Sequence, residues 1–326
     1  MAQKQFKRGL VIGKFMPIHN GHIALINFSL THCDELIVSM SYTLEDKIDS
    51  ALRFNWIKEI FKYEPRIKPA MILDDFDHEE LPLNGRTKIW ADQMRKVYPK
   101  IDVLISSEAY GIPFANNLNC IYKSFNPERN IVPISATLIR KEPLKYWDFI
   151  PAVVQPYFVK KVCFYGPEST GKSTMALKMA NLYNTVSVPE VARELIVNND
   201  LTVQDFIEIA KAQNQRVIDQ TKVANKLLFC DTDIITTQIY ATHYLGKYLS
   251  ELNEYEQEIG YDYYFLLNTD VAWVADDLRD LGDKRVEMYA LFKQALIKRN
   301  IPFIEVNGNY EEREMLVTSF INRLLE

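Results

Sequence analysis

One segment, residues 166–173, constrains the fold of this chain more than any other. It reads Gly-Pro-Glu-Ser-Thr-Gly-Lys-Ser and fits the pattern G-x-x-x-x-G-K-[ST] at every fixed position. The apolar run 161–165 precedes it, and Met175, Met179 and Leu182 follow it at helical spacing. A strand that passes through a glycine-bearing turn into a helix is the local structure of a phosphate-binding loop. The segment therefore predicts a nucleotide site built on a parallel α/β sheet.

Each fixed position in this loop has a chemical reason. Gly166 and Gly171 allow the backbone to turn until its N–H groups face a polyphosphate, and the helix that follows adds its positive N-terminal dipole. Lys172 supplies a point charge to the β- and γ-phosphates of ATP, and the hydroxyl of Ser173 is a ligand for Mg²⁺. We assign three neighbouring residues to the same nucleotide site: Ser169, Thr170 and Thr174.

Further polar residues follow apolar runs in this half of the chain. Asp231 ends one such run, at the position where a carboxylate would hold Mg²⁺, and Asp233 lies two residues later. Glu190 and Arg193 follow another predicted strand, at the edge where acceptor substrates bind in doubly wound folds. Helix capping or solvation would also explain these acids. As the base in a phosphoryl transfer, Asp231 and Glu190 are both candidates, and the sequence does not rank them.

A charge-dense segment, residues 276–285, lies further along the same half. We expect it to form a lid in which Arg279 closes onto transferring phosphate. Residues 155–326 with one phosphate loop are few for a motor protein and suit a small-molecule kinase.

The second chemical signal lies at the first predicted strand, where residues 13–22 read Gly-Lys-Phe-Met-Pro-Ile-His-Asn-Gly-His. His19 and His22 fall where the strand passes into a helix, so two imidazoles and a lysine form a cradle for the phosphate chain of a nucleotide. A metal pair or a capped helix start is the alternative, but the pattern lacks a third nearby ligand. The residues assigned to the cradle are Gly13, Lys14, Phe15, His19, Gly21 and His22.

A later segment completes this site. Ser135 is a natural N-cap after a predicted strand at 131–134, so the first-turn N–H groups and Thr137 can bind phosphate. Arg140 lies one turn further on, where it would neutralise charge on the β- or γ-phosphate.

Short apolar runs alternate with helical patterns along all 326 residues, which predicts parallel sheets with helices on both faces. The predicted strands are 9–13, 36–38, 70–73, 103–105 and 131–134 in the first half, and 161–165, 185–188, 227–230, 263–267 and 303–306 in the second. Pro143, Pro151 and Pro156 place a junction between the halves. We therefore predict an α/β chain of two doubly wound parallel-sheet domains, 1–154 and 155–326.

Charge and composition exclude several classes of protein. The formal net charge is −5, which argues against a dedicated nucleic-acid binder. No stretch approaches the ~20 apolar residues that span a bilayer. The four cysteines are scattered without a C-x-x-C pair, so we expect free thiols in a reducing compartment and a cytoplasmic protein. We also expect a homo-oligomer.

The pairing of G-K-F-x-P-x-H-x-G-H at 13–22 with I-S-x-T-x-x-R at 134–140 resembles the nucleotidylyltransferase superfamily. Joined to a phosphate-loop domain with V-P-E-V-A-R-E at 188–194 and D-T-D-I-I-T-T-Q at 231–238, the chain resembles the NadR-type bifunctional family. This resemblance implies an HxGH nucleotidylyltransferase Rossmann-like domain followed by a P-loop kinase domain. It implies phosphorylation of nicotinamide riboside with ATP, then adenylylation of nicotinamide mononucleotide to NAD and pyrophosphate, with Mg²⁺.

The resemblance also implies substrate residues. Ser107, Tyr110 and Gly111 match the segment that lines the nicotinamide-nucleotide pocket, and the indole of Trp90 would stack on the nicotinamide ring or else belong to the core. The presumed lid has Asp277 where the family pattern has glycine. Some members carry an N-terminal DNA-binding repressor domain; so few residues precede the first predicted strand here that we expect no repressor role.

Two rival functions remain on the sequence alone. One is another fused nucleotidylyltransferase and kinase of coenzyme biosynthesis, and assays with alternative substrates would separate it. The other is a non-catalytic NAD or ATP sensor, against which the intact His19, His22, Arg140, Lys172 and Ser173 argue.

Overall fold

The structure is a computed structural model that describes residues 5–77, 80–128, 130–196, 200–274 and 281–326. The chain divides into two compact units, Met1–Gln155 and Pro156–Glu326. We call them unit 1 and unit 2. In the described ranges no helix is long and apolar enough to cross a membrane.

Unit 1 is built on a five-stranded parallel sheet in the order β3-β2-β1-β4-β5. Its strands are β1 (Phe6–Gly13), β2 (Cys33–Tyr42), β3 (Ile67–Leu73), β4 (Val103–Ser106) and β5 (Ile121–Ser124). Its helices are α1 (Asn20–Leu30), α2 (Ser50–Ile60), α3 (Leu83–Val97), α4 (Gly111–Leu118) and α5 (Ala136–Lys141). The chain winds outward from β1 through β2 and β3 and then restarts on the other side at β4, so a crevice forms between β1 and β4.

The central strands of unit 1 read as continuous apolar runs because helices cover both faces of the sheet. Leu10 and Leu104 are paired across β1 and β4, and both are fully buried. Phe114 from α4 and Ala91 from α3 pack against them in one core cluster. This packing fixes the carboxyl ends of β1 and β4, where the polar residues follow.

The strand predicted at 131–134 is wrong. The fifth position in the sheet is taken by β5, which pairs in parallel with β4. Pro133 has no N–H for a ladder bond, and the N–H of Ile131 donates to the side chain of Asn126 instead. Ile134 is nevertheless buried, which explains why the segment has an apolar pattern.

Unit 2 has a second five-stranded parallel sheet, in the order β10-β9-β6-β8-β7. Its strands are β6 (Lys160–Tyr165), β7 (Val186–Val188), β8 (Leu227–Asp231), β9 (Tyr263–Leu267) and β10 (Ile304–Val306). Its helices are α6 (Lys172–Leu182), α7 (Ala192–Leu195), α8 (Val203–Thr221), α9 (Ile234–Leu245), α10 (Asn253–Glu258), α11 (Arg285–Lys298) and α12 (Tyr310–Leu325). The prediction of two doubly wound parallel-sheet domains is confirmed.

The middle strand β6 of unit 2 is flanked by β8 and β9, and helices bury both of its faces. Phe164, Phe229 and Phe265 stack side by side on one face, with ring centroids 5.7 and 6.0 Å apart. Cys163 belongs to a second core cluster, and Cys163 and Cys230 are both buried free thiols. The carboxyl end of β6 is thereby held rigidly at the point where the phosphate loop begins.

Candidate active sites

The histidine pair of unit 1 is locked together by its own backbone. The N–H of His22 donates to Nδ1 of His19 at 3.4 Å, and the N–H of His19 donates to Nδ1 of His22 at 3.3 Å. This reciprocal pattern is a capping box at the start of α1, made here by two imidazoles. The rings stack with centroids 3.6 Å apart. Because each Nδ1 accepts a hydrogen bond, a neutral ring carries its proton on Nε2, which makes both rings donors to phosphate oxygens.

Phe15 and Gly21 support the two rings. Phe15 is buried and touches His22 edge to face, with ring centroids 4.9 Å apart. A Cβ atom on Gly21 would lie 3.0 Å from atoms of the His19 ring, which explains the glycine. Gly13 is in contact with the Phe15 ring, since a Cβ there would meet it at 3.4 Å. Phe15 and Gly21 therefore support the imidazoles, and Gly13 lies at the edge of the cradle.

Lys14 brings a positive charge to the same turn. Its side chain is half-exposed, with Nζ 4.0 Å from the carboxylate of Asp46. Its carbonyl accepts a hydrogen bond from the fully buried Arg53, which also pairs with Asp46 at 2.6 Å. Arg53 therefore holds the lysine turn in place from beneath.

The segment after the misassigned strand does contain the capped helix that was predicted. The hydroxyl of Ser135 accepts a hydrogen bond from the N–H of Leu138 at the start of α5. Arg140 donates to the carbonyl of Met16 and, at 3.1 Å, to the hydroxyl of Thr137. The structure thus uses the guanidinium to tie α5 to the histidine turn.

A cavity brings these parts together at the carboxyl ends of β1 and β4. The predicted residues that line it are Gly13, Lys14, His19, Gly21, His22, Ser107, Tyr110, Ser135 and Thr137. Sequence reasoning missed other lining residues, among them Leu25, Phe125, Asn126 and Val132. Their apolar or amide side chains carry no local motif, so nothing in the sequence marked them.

For two residues predicted to bind substrate, Trp90 and Gly111, packing explains why the residue type is present. Trp90 is absent from this lining; it packs edge to face against Tyr110 and Phe114, and Arg86 lies 5.4 Å over its ring. A Cβ on Gly111 would come within 2.2 Å of the Tyr122 ring, so glycine is needed there for packing. For Trp90 the geometry favours the core alternative.

The phosphate loop of unit 2 adopts an anion-binding conformation. Gly166 and Gly171 have φ of +139° and +90°, and Ser169 has φ of +56°. A Cβ on Gly166 would lie 2.8 Å from the carbonyl of Leu267 on the neighbouring strand. Lys172 opens α6 and is buried, with Nζ donating to the carbonyl of Pro167 at 3.0 Å. The hydroxyl of Thr170 donates to the same carbonyl at 2.9 Å, while Ser173 and Thr174 are exposed.

Asp231 ends β8 beside this loop and is 1% exposed. Neither carboxylate oxygen has a hydrogen-bonding partner among the described residues. Burial and the negative charge of Glu190 together raise the pKa of Asp231 to about 6, against the lowering effects of Lys172, Ser173 and Arg193. A buried carboxylate left without donors is suited to a cation.

A second cavity lies in unit 2, and Thr232, the residue after Asp231, is part of its lining. It is mostly apolar and aromatic, with a few polar groups, and its lining includes Glu168, Glu190, Arg193, Phe206, Gln213, Thr232, Tyr240 and Tyr244. Glu190 accepts a hydrogen bond from Arg193 at 3.2 Å. The fully buried Gln213 bonds the N–H of Val191 and the carbonyl of Pro189, which fixes the backbone on both sides of Glu190. We call this space the acceptor cavity.

Glu168, inside the phosphate loop, also lines the acceptor cavity and was missed, because the motif leaves its position open. Asp233 does not line it. Asp233 caps α9 through the N–H of Thr236 at 3.0 Å and accepts a hydrogen bond from the hydroxyl of Tyr264 at 2.9 Å. The helix-capping alternative thus explains Asp233. Arg279 lies outside the described residues.

Comparisons with known proteins match both units. Residues 161–313 match the AAA domain family AAA_28. The chain is 31% identical over 346 residues to the trifunctional NAD biosynthesis/regulator protein NadR of Escherichia coli, covering 97% of this chain and 83% of that protein. The Salmonella typhimurium NadR is 30% identical, with 99% and 84% covered.

Other relatives match unit 1 or the fold. A nicotinamide-nucleotide adenylyltransferase of Thermococcus onnurineus is 29% identical over 110 residues, which is 32% of this chain and 54% of that enzyme. A crystal structure of NadR protein in complex with NAD and AMP-PNP has a TM-score of 0.80 at 20% identity, covering 99% of this chain and 98% of that one. At this identity the structural match shows the fold.

Proposed function

Because the chain belongs to the NadR family, we propose that unit 2 phosphorylates nicotinamide riboside with ATP and that unit 1 adenylylates the resulting mononucleotide. The products of the second reaction are NAD and pyrophosphate. The domain assignment, an adenylyltransferase over 1–154 and a riboside kinase over 155–326, rests on which unit holds each motif.

The kinase reaction needs a phosphate donor beside an acceptor hydroxyl. In unit 2 the donor site is the phosphate loop, where Lys172 would turn from the carbonyl of Pro167 to the phosphates of ATP. The acceptor cavity begins at Glu168 in that loop and ends among aromatic side chains that suit a flat ring. Glu190 lines this cavity, and Asp231 directly precedes Thr232 of its lining at the end of β8. Either carboxylate can accept the proton of the 5′-hydroxyl as the riboside oxygen attacks the γ-phosphorus.

The residues present fit Mg²⁺. Asp231 offers two buried carboxylate oxygens for which no described residue is a hydrogen-bonding partner. The hydroxyl of Ser173 lies close enough to lower the pKa of Asp231. Hard oxygen ligands of this kind are the ones that Mg²⁺ prefers, with phosphate oxygens completing its shell. Asp231 and Ser173 would hold the ion. It would offset the charge of the β- and γ-phosphates.

The adenylyl transfer needs no protein nucleophile. The phosphate of the mononucleotide attacks the α-phosphorus of ATP in line, and pyrophosphate leaves. The paired imidazoles of His19 and His22 present donors to the phosphoryl oxygens, and Lys14 adds a positive charge. The N-terminal turn of α5, with Ser135 and Thr137 facing the same cavity, supplies further donors.

The observation that carries this proposal is that each unit has a phosphate-binding motif whose residues line a cavity, His19 and His22 in unit 1 and Glu168 in unit 2. The test is a time course with nicotinamide riboside, ATP and Mg²⁺, resolved by chromatography. We expect the mononucleotide to appear first, followed by NAD and pyrophosphate. Phosphopantetheine in place of the mononucleotide is the control substrate and should give no adenylylated product.

Two results would contradict the proposal. Turnover of phosphopantetheine but not of nicotinamide mononucleotide would indicate a different coenzyme pathway. Tight binding of ATP without turnover of either pyridine substrate would indicate a sensor. The expected cytoplasmic location is supported by the buried free thiols Cys33, Cys163 and Cys230.

A further inference from the structure

A fully buried arginine lies behind the phosphate loop of unit 2. Arg313, on α12, is 0% exposed. Its guanidinium donates to the carbonyl of Thr170 at 2.7 Å, to that of Asn268 at 2.8 Å and to that of Gly308 at 2.8 Å, and it pairs with the carboxylate of Asp270. One side chain thus ties the phosphate loop to the end of β9 and to the turn before α12.

A second arginine binds the preceding carbonyl of the same loop. Arg285, at the start of α11, donates to the carbonyl of Ser169 at 3.1 Å and to that of Val271 at 3.0 Å. Its guanidinium lies 5.5 Å from the centre of the Trp273 ring. The hydroxyl of Ser169 accepts a hydrogen bond from the N–H of Val274 at 2.8 Å. Two successive carbonyls, 169 and 170, are therefore each held by a guanidinium.

These contacts bear on the conformation that binds phosphate. N–H groups converge on an anion only when the neighbouring carbonyls point away from it. Ser169 sits at φ +56°, a left-handed conformation that is strained for a non-glycine residue and persists only where surrounding contacts enforce it. The two arginines and Val274 supply those contacts. Their hydrogen bonds hold the carbonyls outward before any nucleotide arrives.

We propose that Arg313 is a positioning residue for ATP, with Arg285 as its weaker partner: by binding the carbonyls of Thr170 and Ser169, they hold the amides of the phosphate loop in the geometry that receives the phosphates. This inference rests on the proposed kinase function of unit 2. Arg313 acts through the loop, so its removal affects nucleotide binding more than it affects the riboside.

The positive charges of Arg285 and Arg313 behind the loop also favour the binding of phosphate. Burial lowers the pKa of Arg285, and the positive charge of Arg313 lowers it further. Asp270 is shared between the Arg313 guanidinium and the N–H of Gly308, at 2.6 Å for the latter. A polyphosphate bound in front of the loop is attracted by both guanidiniums, so binding is favoured while both are present.

The test compares Arg313→Met with Arg323→Met, which removes an exposed arginine from the same helix. We expect Arg313→Met to raise the KM of the kinase for ATP at least about tenfold, the effect of losing charge-assisted hydrogen bonds, with a smaller change in the KM for riboside. The stabilisation of the protein by Mg²⁺-ADP in thermal unfolding should shrink in parallel. Arg323→Met should match the wild type, and circular dichroism and thermal unfolding of each full-length variant without nucleotide report whether unit 2 is folded.

Further variants keep the proposal testable where Arg313→Met unfolds unit 2. Arg313→Lys retains the charge and should give an intermediate KM for ATP, and Arg285→Gln should raise that KM by about threefold to tenfold. A merely structural role predicts a fall in kcat at unchanged KM for ATP, because fewer molecules are active. That outcome, or an unchanged KM in both Arg285→Gln and Arg313→Lys, overturns the proposal. A wild-type protein that never phosphorylates the riboside would instead refute the kinase function.

Discussion

The two phosphate-binding turns achieve the same task with contacts of very different range. In unit 1 the turn is stabilised within itself, because His19 and His22 cap each other across three residues. In unit 2 the loop is held by arginines 116 and 143 residues further along the chain. When a turn is built from local contacts, all the residues that stabilise it appear together in one sequence motif. When a loop is held by residues far along the chain, its sequence motif contains only the residues that touch the ligand.

The electrostatics of the two units differ as well. The unit 1 cradle combines imidazoles with a half-exposed lysine, as expected for a site that only has to stabilise phosphate charge. Unit 2 adds the buried Asp231, whose pKa is raised by burial and by the negative charge of the neighbouring Glu190. That addition suits a reaction in which an acceptor hydroxyl loses a proton. Five predictions test this contrast.

The largest expected effect is the loss of the loop lysine. Lys172→Ala should lower riboside phosphorylation by about 10³-fold or more, because the buried ammonium that would neutralise the β- and γ-phosphates is lost. Adenylylation of supplied mononucleotide should be unchanged. Lys178→Ala, an exposed lysine on the same helix, is the control. Loss of both activities in Lys172→Ala would show that the two units do not work independently.

The reciprocal experiment removes one imidazole. His22→Ala should lower the adenylyl step by about 10²-fold, since both a donor to phosphate and one half of the capping box are lost. Kinase activity should remain, and His32→Ala should change neither reaction. Retention of NAD synthesis from the mononucleotide in His22→Ala would contradict the role of the pair.

We expect acid to inactivate the kinase by protonating the carboxylate of Asp231. Its pKa of about 6 lies above the ordinary value of 3.8, so the carboxylate becomes protonated as the pH falls through 6. The kcat/KM for the riboside should then fall about tenfold per pH unit below that point. A profile that stays flat down to pH 5 would exclude Asp231 as an essential anion.

The same carboxylate should destabilise the folded state at neutral pH. Because its folded pKa is raised, the folded state binds the proton more tightly than the unfolded chain, and stability from this group increases as the pH falls from 6 towards 4. Asp231→Asn should therefore raise the unfolding free energy at pH 7, by at most about 3 kcal/mol. The difference from the wild type should shrink in acid; an unchanged or lower melting temperature at pH 7 would count against it.

The smallest expected effect tests the fit around the histidines. Gly21→Ala places a Cβ 3.0 Å from the His19 ring, so the ring must shift and the adenylyl step should slow by up to about tenfold. Gly85→Ala is the control, because its Cβ would meet nothing closer than 3.7 Å. Equal activity of the two variants would show that the position of His19 is not critical.

Features that depend on contacts within one turn can be predicted from the sequence, whereas features that depend on distant contacts cannot. The phosphate loop and the turn at 13–22 were readable because glycine, lysine and histidine positions within one turn determine their chemistry. The strand at 131–134 was assigned from its apolar pattern, but Ile134 is buried without pairing, and Ile121–Ser124 occupies the edge of the sheet. Burial alone does not distinguish a strand from a buried loop.

Roles that depend on distant partners were not readable. Asp233 follows a strand as a ligand would, yet Tyr264 and the start of α9 use both of its oxygens. Gln213 lies 24 residues from Pro189, and nothing near either position indicates that they meet. Arg313 resembles any arginine on an amphipathic helix until the fold brings Thr170 to it.

The central claim is that one chain holds two independent ATP-dependent sites that act in series through a released mononucleotide. The most direct measurement mixes the Lys172→Ala and His22→Ala proteins with nicotinamide riboside, ATP and Mg²⁺ and follows NAD. Neither variant alone should make NAD from the riboside, and the mixture should restore its formation. A mixture that stays inactive, while each variant retains its remaining single activity, would contradict the account.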